Sequence, residues 1–276
     1  MTLTILADVQ QRSEEWLKLR SGIATASVIG QLVTTKARTA IDFDCPACGS
    51  VATFPCMSKR TSAPIATLHP ERTTVAKADD SPPVLTLADN QTTRDVAALL
   101  ATERIVGPDP DNQLGGRDIW RGIDSEPYAR DAYAEHYGVE VTECGFMVLD
   151  EDGYSIGLSP DGLVGDLGGI EIKAPRQKRH LLTAVSGEVP GQHMAQIQTA
   201  LLVSGRDWWD FVSFKGGMRL WVKRVYPDPE WFRAIRAAVA SLEDTITQLV
   251  ADYEAAVSGF PMTEALPDPF EVELKL

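Results

Sequence analysis

Cysteine is scarce in this chain: four in 276 residues, at positions 45, 48, 56 and 144. Four thiols, three of them in one short stretch, do not make the disulfide framework of a small secreted domain. Long apolar runs are missing as well; none approaches the ~20 residues needed to span a bilayer. The opening MTLTILADVQQR has neither the basic start nor the apolar core of a signal peptide, so a cytoplasmic protein is expected. Positive charge is in short supply, with 26 Lys and Arg against 39 Asp and Glu and a net charge of −13. That balance excludes diffuse attraction to nucleic acid, but leaves room for a local basic channel on an acidic body. There is no internal repeat. What remains, 44% hydrophobic and 24% charged residues, suits one substantial core plus a small extra module.

The chain is organised around 158–173, LSPDGLVGDLGGIEIK. Ile170-Glu171-Ile172-Lys173 alternates apolar and charged residues, which predicts a half-buried strand with Glu171 and Lys173 on one face. Asp161 precedes Glu171 by ten residues, within the rigid Ser159-Pro160-Asp161-Gly162, and GDLGG (165–169) supplies a turn. Such a hairpin brings the two carboxylates together, a donor set for a hard divalent cation such as Mg²⁺. Lys173 then stands where it can orient a water or offset charge on a phosphate. The spacing alone also fits a solvated strand face. The basic run that follows, Ala174 to His180, adds weight to the site reading in so acidic a chain.

Residues 40–92 differ in texture, with few aliphatic runs and many Pro, Ser and Thr. Cys45-x₂-Cys48 has the spacing of a metal knuckle, Cys56 follows, and His69 is the nearest later donor, giving a Cys₃His zinc set. Metal ligation can supply folding energy to a segment with so little core. The rival fourth ligand is Cys144, which also leaves a Cys₄ iron–sulfur cluster open; reduced thiols in a loop are the plain alternative. Over 36–77 six basic residues, Arg72 among them, face three acidic ones, and this local excess fits a nucleic-acid contact.

Ser13 is a good N-cap for a short helix with Glu14 and Glu15 in its first turn. A second helix is expected from Thr25 or Ser27, with Val28, Ile29, Leu32 and Val33 inward. Thr25 and Ser27 near Arg20 make a phosphate seat, unless Arg20 is only a surface ion pair. Residues 78–94 read mostly as a connector, and 94–105 as a helix. Residues 107–116 read as a loop and 118–137 as a helix carrying Glu126, a solvated acid or a third carboxylate for the metal. Trp120 and Tyr128 belong to the expected apolar face of that helix. Hairpins follow at 145–158 and 208–226, with helices starting near 181, over 192–204 and over 229–257. The tail is a loose extension.

Five motifs now stand in order: Trp16-x₂-Leu19-Arg20-x-Gly22-x₂-Thr25-Ala26-Ser27, Gly122-x₃-Glu126, Ser159-Pro160-Asp161-Gly162, Glu171-Ile172-Lys173 and Met194-Ala195-Gln196-x-Gln198. Together they resemble the lambda-exonuclease (YqaJ-like) alkaline exonucleases of phage recombination systems, within the PD-(D/E)XK nucleases. The resemblance implies an α/β fold, a mixed sheet of restriction-endonuclease type flanked by helices. Residues 40–92 depart from the family pattern and are read as a small zinc-binding insertion, which divides the nuclease domain into 1–39 and 93–258, before a tail over 259–276.

The resemblance also implies a Mg²⁺- or Mn²⁺-dependent 5′-to-3′ exonuclease on linear double-stranded DNA, leaving 3′ tails for recombination. Asp161, Glu171 and the Ile172 carbonyl would hold metal, with Glu126 near a second position. Lys173 and Gln196 would place the water and the scissile phosphate. Arg20, Ser27 and Ser159 would form the pocket for a 5′-phosphate, while His193 has no settled role. A ring, typically a trimer, and a single-strand annealing recombinase as partner are implied, in a phage-infected or prophage-bearing host cell and without a membrane. Two alternatives remain: a single-strand or structure-specific nuclease on the same core, and a non-catalytic zinc-containing DNA-binding protein.

Overall fold

Ten strands and eight helices alternate along the chain in a computed structural model that describes residues 1–81, 83–108 and 117–264, the side chains of 117–119 excepted. The expected loop falls outside the description from 109 to 116, and the expected tail does so from 265. The N-terminal part runs β1 (Thr2–Leu6), α1 (Glu14–Arg20), β2 (Ala24–Thr25), α2 (Ala26–Ile29), β3 (Val33–Lys36), α3 (Pro70–Lys77), β4 (Val84–Leu87) and α4 (Gln91–Val106). Then come α5 (Arg117–Tyr137), β5 (Phe146–Glu151), β6 (Tyr154–Leu158), β7 (Gly162–Val164), β8 (Gly168–Lys173) and α6 (Gln177–Ser186). The chain closes with α7 (Met194–Ser204), β9 (Trp208–Ser213), β10 (Trp221–Val225) and α8 (Pro229–Ala256).

Two four-stranded sheets carry the architecture, in the orders β1-β5-β6-β2 and β10-β9-β8-β7. β8 pairs antiparallel with β7 and parallel with β9, so it is a central strand of a mixed sheet. Ile170 and Ile172 point to one side, where they pack with Ala129 and Tyr133 of α5 and with Val212. Glu171 and Lys173 therefore emerge on the other face, as the alternation predicts. On that second side lies the larger core, where α7 packs with α2, α8 and the sheets. Nearly every side chain of α7 is buried, including Gln198 and Thr199, so it is an internal helix rather than an amphipathic one.

Glycine placement explains the β7–β8 hairpin. Gly165 takes φ +52°, the left-handed conformation a tight turn needs. Gly168 and Gly169 lie in β8 itself rather than in the turn, because a Cβ there would sit 2.0 Å from the Trp208 ring and 2.4 Å from the Trp209 ring. Both indoles come from β9, the parallel neighbour.

Several expectations need correction. α2 is a single turn; Leu32 and Val33 are buried as expected, but beyond it, and Val33 opens β3. The stretch 78–94 is more than a connector: β4 pairs antiparallel with β3, from Val33–Leu87 to Lys36–Val84, and the ribbon packs on α8. α6 starts at Gln177, four residues earlier than read. On α5 the buried stripe is Ala129 and Tyr133, while Trp120 and Tyr128 are exposed. At 100° per residue, Tyr128 lies one step off the line through 129 and 133. Among the described residues no helix is long and apolar enough to cross a membrane.

Candidate metal centre, phosphate pocket and zinc cluster

The centre begins with backbone pairing. β8 holds Glu171 in the sheet interior, where its side chain is almost wholly buried, and Lys173 forms an ion pair with its Oε1. The other oxygen, Glu171 Oε2, is buried and has no hydrogen-bond partner among the described residues. Asp161, at the entry to β7, is half-buried and accepts the Ile172 amide on Oδ2 at 2.6 Å. The hairpin thus does bring Asp161, Glu171 and Lys173 together. Arg130 fixes the turn by donating to the Asp161 carbonyl at 3.1 Å while pairing with Glu143 at 2.7 Å.

Lost solvation pushes the Asp161 carboxyl well above the usual carboxylate range; the charges of Glu171 and Glu126 add to this, and Lys173 and the Ile172 amide oppose it. Burial alone would lower the Lys173 ammonium, yet Glu171 and Asp161 outweigh it and hold its pKa above normal. With no metal bound, Lys173 is consequently held as a cation by its two carboxylate neighbours. A buried carboxylate oxygen without a donor, beside a second crowded carboxyl group, is an arrangement that a hard divalent cation satisfies. Because the folded pKa of Asp161 is raised, stability falls as pH rises from the unfolded carboxyl value through the raised folded one. Asp161→Asn is expected to remove that slope and to raise the neutral-pH melting temperature of metal-free protein by about 2–4 °C. Melting curves across pH, repeated with saturating Mg²⁺, check this; the gain should disappear once the cation is present.

Glu126 reaches the same centre from α5. Arg12 Nη2 donates to both Glu126 oxygens at 2.9 Å, so Glu126 is neither solvated nor alone. A cleft of about 760 Å³ opens in front, lined by Arg12, Arg121, Glu126, Lys173, Arg176, Arg179 and His193 among others. Its walls are strongly basic although the chain as a whole is acidic. His193 stacks on Phe211 with ring centroids 5.4 Å apart. Burial, then Lys173 and Arg179, push its pKa down to about 4, so it is neutral at physiological pH. Gln196 is half-buried in the first turn of α7, two residues into the helix. Gln198 serves structure: it donates to the Tyr226 carbonyl at 2.9 Å and accepts the Asp228 amide at 3.0 Å.

The residues read as a phosphate seat also lie together. Arg20 at the end of α1 lies over the Trp16 ring at 4.3 Å and donates to the Thr25 hydroxyl at 3.3 Å. Thr25 and Ser27 share a hydrogen bond of 3.1 Å, and the Trp16 indole donates to Ser159 Oγ at 2.9 Å. Ser159, Ser27 and Arg20 are thereby linked through Trp16 and Thr25. Burial pushes the Arg20 guanidinium below its usual value, with Glu103 opposing. Its hydrogen-bond partner is a neutral hydroxyl, so an incoming anion would find a charge that no direct ion pair among the described residues has neutralised.

The cysteine segment forms a second site between β3 and β4. One donor atom each from Cys45, Cys48, Cys56 and His69 lies within 4.8 Å of every other, a set able to hold a zinc ion. Cys144 is buried in the main core, which answers the question of the fourth ligand in favour of His69. The Met57 and His69 amides point at Cys48 and Cys56 sulfurs, each at 3.5 Å. Hydrogen bonding, from Ser50 above all, lowers the Cys48 thiol to about 5, toward the thiolate that a metal needs.

Sequence reasoning missed two arginines. Arg72, counted among the surface charges, is fully buried. It donates to the carbonyls of Phe43, Phe54, Ile41 and Val51 at 2.6–3.1 Å and approaches Cys56 sulfur at 3.5 Å. It is the core of the module and cannot touch nucleic acid. Arg12 is the other; nothing in QQRS marks it except its place one residue before the helix cap.

Among known sequences, residues 15–207 match the YqaJ-like viral recombinase domain. A search among curated proteins returns no match. Among solved structures, an alkaline exonuclease from Laribacter hongkongensis, LHK-Exo, aligns with a TM-score of 0.62 at 23% identity over 90% of this chain and 100% of that one. Its complex with dAMP gives 0.63 at the same identity and coverage. A phage related exonuclease from Haemophilus somnus 129PT aligns at 12% identity and a TM-score of 0.48, over 84% of this chain and 96% of that one. At such identities the likeness to LHK-Exo speaks for the fold, which is the mixed α/β fold with flanking helices that the sequence predicts.

Proposed function

The chain belongs to the YqaJ-like viral recombinase domain family, and on that premise we propose that it is a divalent-metal-dependent deoxyribonuclease, specifically a 5′-to-3′ exonuclease on linear duplex DNA. The observation that carries the reading is the buried Glu171 oxygen without a partner, beside Asp161 and Lys173, in a basic cleft. The fold it shares with LHK-Exo is consistent with it.

Asp161, Glu171, the Ile172 carbonyl and Glu126 are the residues that would hold Mg²⁺ or Mn²⁺. When bound, the metal supplies Lewis-acid polarisation of the phosphate and a water of lowered pKa. Lys173 sits beside Glu171 as a cation and offsets negative charge that builds on the phosphate in the transition state. Gln196 helps to orient the water. The arginines of the cleft draw the duplex backbone in and keep it close, the local attraction that the net charge denies to the rest of the surface. Arg20, Ser27 and Ser159 receive the terminal 5′-phosphate, with Trp16 as the platform beneath Arg20. In this reading the nuclease domain comprises 1–39 and 93–258, interrupted by the zinc module of 40–92 and followed by the 259–276 tail. A ring of copies, a trimer by family resemblance, would let DNA pass each centre. The 3′ tail would be handed to a single-strand annealing recombinase in the cytoplasm of the host.

Arg20→Ala tests the pocket. It should slow digestion of 5′-phosphorylated ends by about 10²-fold, the scale of one lost charge-assisted anion contact, and should scarcely affect 5′-hydroxyl ends. Equal slowing on both would remove the end-recognition role.

A further inference from the structure

Arg12 occupies a backbone position that does not suit arginine. The Ser13 amide donates to the Gln10 carbonyl at 3.1 Å, closing a turn, and Arg12 is the third residue of it with φ +70°. That place in a turn favours glycine or asparagine, since a Cβ is strained there. The turn is held by Gln11, whose amide donates to the Cys144 and Pro160 carbonyls at 2.9 Å each. Gln11 thus pins the segment against the residue next to Asp161. The strain is an observation in want of a reason, and the side chain supplies one.

The Arg12 guanidinium donates to both oxygens of Glu126, with the arginine side chain 45% exposed and the glutamate 19%. It lines the basic cleft beside Lys173, and also a smaller cavity of about 270 Å³ that runs back to Asp161 and Pro160. The charge count at the centre follows. Three carboxylates, Glu126, Asp161 and Glu171, face two cations, Lys173 and Arg12. A divalent cation would add more positive charge than the deficit requires. The partner that can leave is Arg12: it is the exposed one, whereas Lys173 is tied to the buried Glu171.

We propose that Arg12 is a positioning residue that holds the Glu126 carboxylate while the centre carries no metal, then gives it up and takes a DNA backbone phosphate when metal and substrate arrive. The proposal rests on the nuclease reading for its substrate, but not for the hold on Glu126. Guanidinium exchanges one oxyanion for another at little cost in geometry, because carboxylate and phosphate oxygens suit the same donors. The strained turn aims that donor where a glycine would leave the cleft wall bare.

The test uses Arg12→Gly and Arg12→Asn in the full chain, since both residues accept the turn's backbone. Melting temperature is expected to hold or rise. Calorimetric titration with Mn²⁺ alone should show several-fold tighter binding in both variants, because Glu126 is no longer occupied. In a Glu126→Gln background the Arg12 change should shift Mn²⁺ affinity no further. DNA binding with Ca²⁺ replacing Mg²⁺ should weaken about tenfold, with a salt slope smaller by about one phosphate contact. Arg12→Lys should recover part of the DNA affinity. Unchanged Mn²⁺ and DNA affinities would reduce Arg12 to a surface ion pair, and a fall in melting temperature of both variants would make it a structural prop. Failure of the wild type to cut any DNA, with the Mn²⁺ shift intact, would sink the nuclease reading and the phosphate half of this proposal together, leaving the Glu126 hold standing.

Discussion

Lys173→Ala is expected to lower cleavage of linear duplex DNA by about 10³-fold or more, with the fold intact. The size of the effect comes from where the charge sits. Lys173 is the last residue of β8, paired with a glutamate that is almost wholly buried. Its pKa is held above the ordinary lysine value, so the group contributes a cation whose partner, Glu171, is out of contact with water. Electrostatic stabilisation is strongest in such surroundings. Binding of DNA should suffer far less than the rate, because several arginines line the same cleft. Single-turnover rates alongside DNA affinity in Ca²⁺ separate the two. A proportional loss in both would mean that Lys173 only helps to hold DNA. Glu171→Ala should be as inactive, since it removes both the metal donor and the partner of Lys173.

Stripping zinc should unfold the segment between β3 and β4 while leaving the nuclease domain folded. Metal content is expected to drop from about one zinc per chain to none in Cys48→Ser or after strong chelation. The reason is compositional. The largest fully buried side chain of the module is an arginine, not a hydrophobe, and its hydrogen bonds tie the segment to carbonyls that a metal on the Cys₃His set would hold in place. Arg72→Met should therefore loosen the same segment with the ligands intact, because four carbonyls lose a donor. Limited proteolysis should cut within 37–83 in both variants, and the remaining fragment should keep the melting temperature of the main domain. Collapse of the whole chain on chelation would show instead that the module is integral to the nuclease core.

The two sites differ in how far they could be read from sequence. Period-two alternation and the position of Asp161 gave the β7–β8 hairpin, since a buried strand face constrains both the residue types and their order. Cys45, Cys48, Cys56 and His69 were legible because soft donors at short spacing have few other uses. β1 was not read: Thr2-Leu3-Thr4-Ile5 alternates over too short a stretch to stand out, and four of the strand's five residues are exposed. The β3–β4 ribbon was hidden for a different reason: its strands are separated in sequence by the whole cysteine segment, and only the tertiary fold brings them together. Arg72 was misread because composition counts a charge without its surroundings. Arg12 escaped because the feature that distinguishes it is a backbone angle, which sequence does not display.

The most direct test of the central claim is digestion of end-labelled linear duplex DNA with Mg²⁺, comparing 5′-phosphate with 5′-hydroxyl ends and including a closed circle. Progressive loss of the 5′-phosphorylated strand, with the circle untouched, is the predicted result. Cutting of the circle would contradict the exonuclease, and no cleavage of any substrate with Mg²⁺ or Mn²⁺ would contradict the metal centre itself.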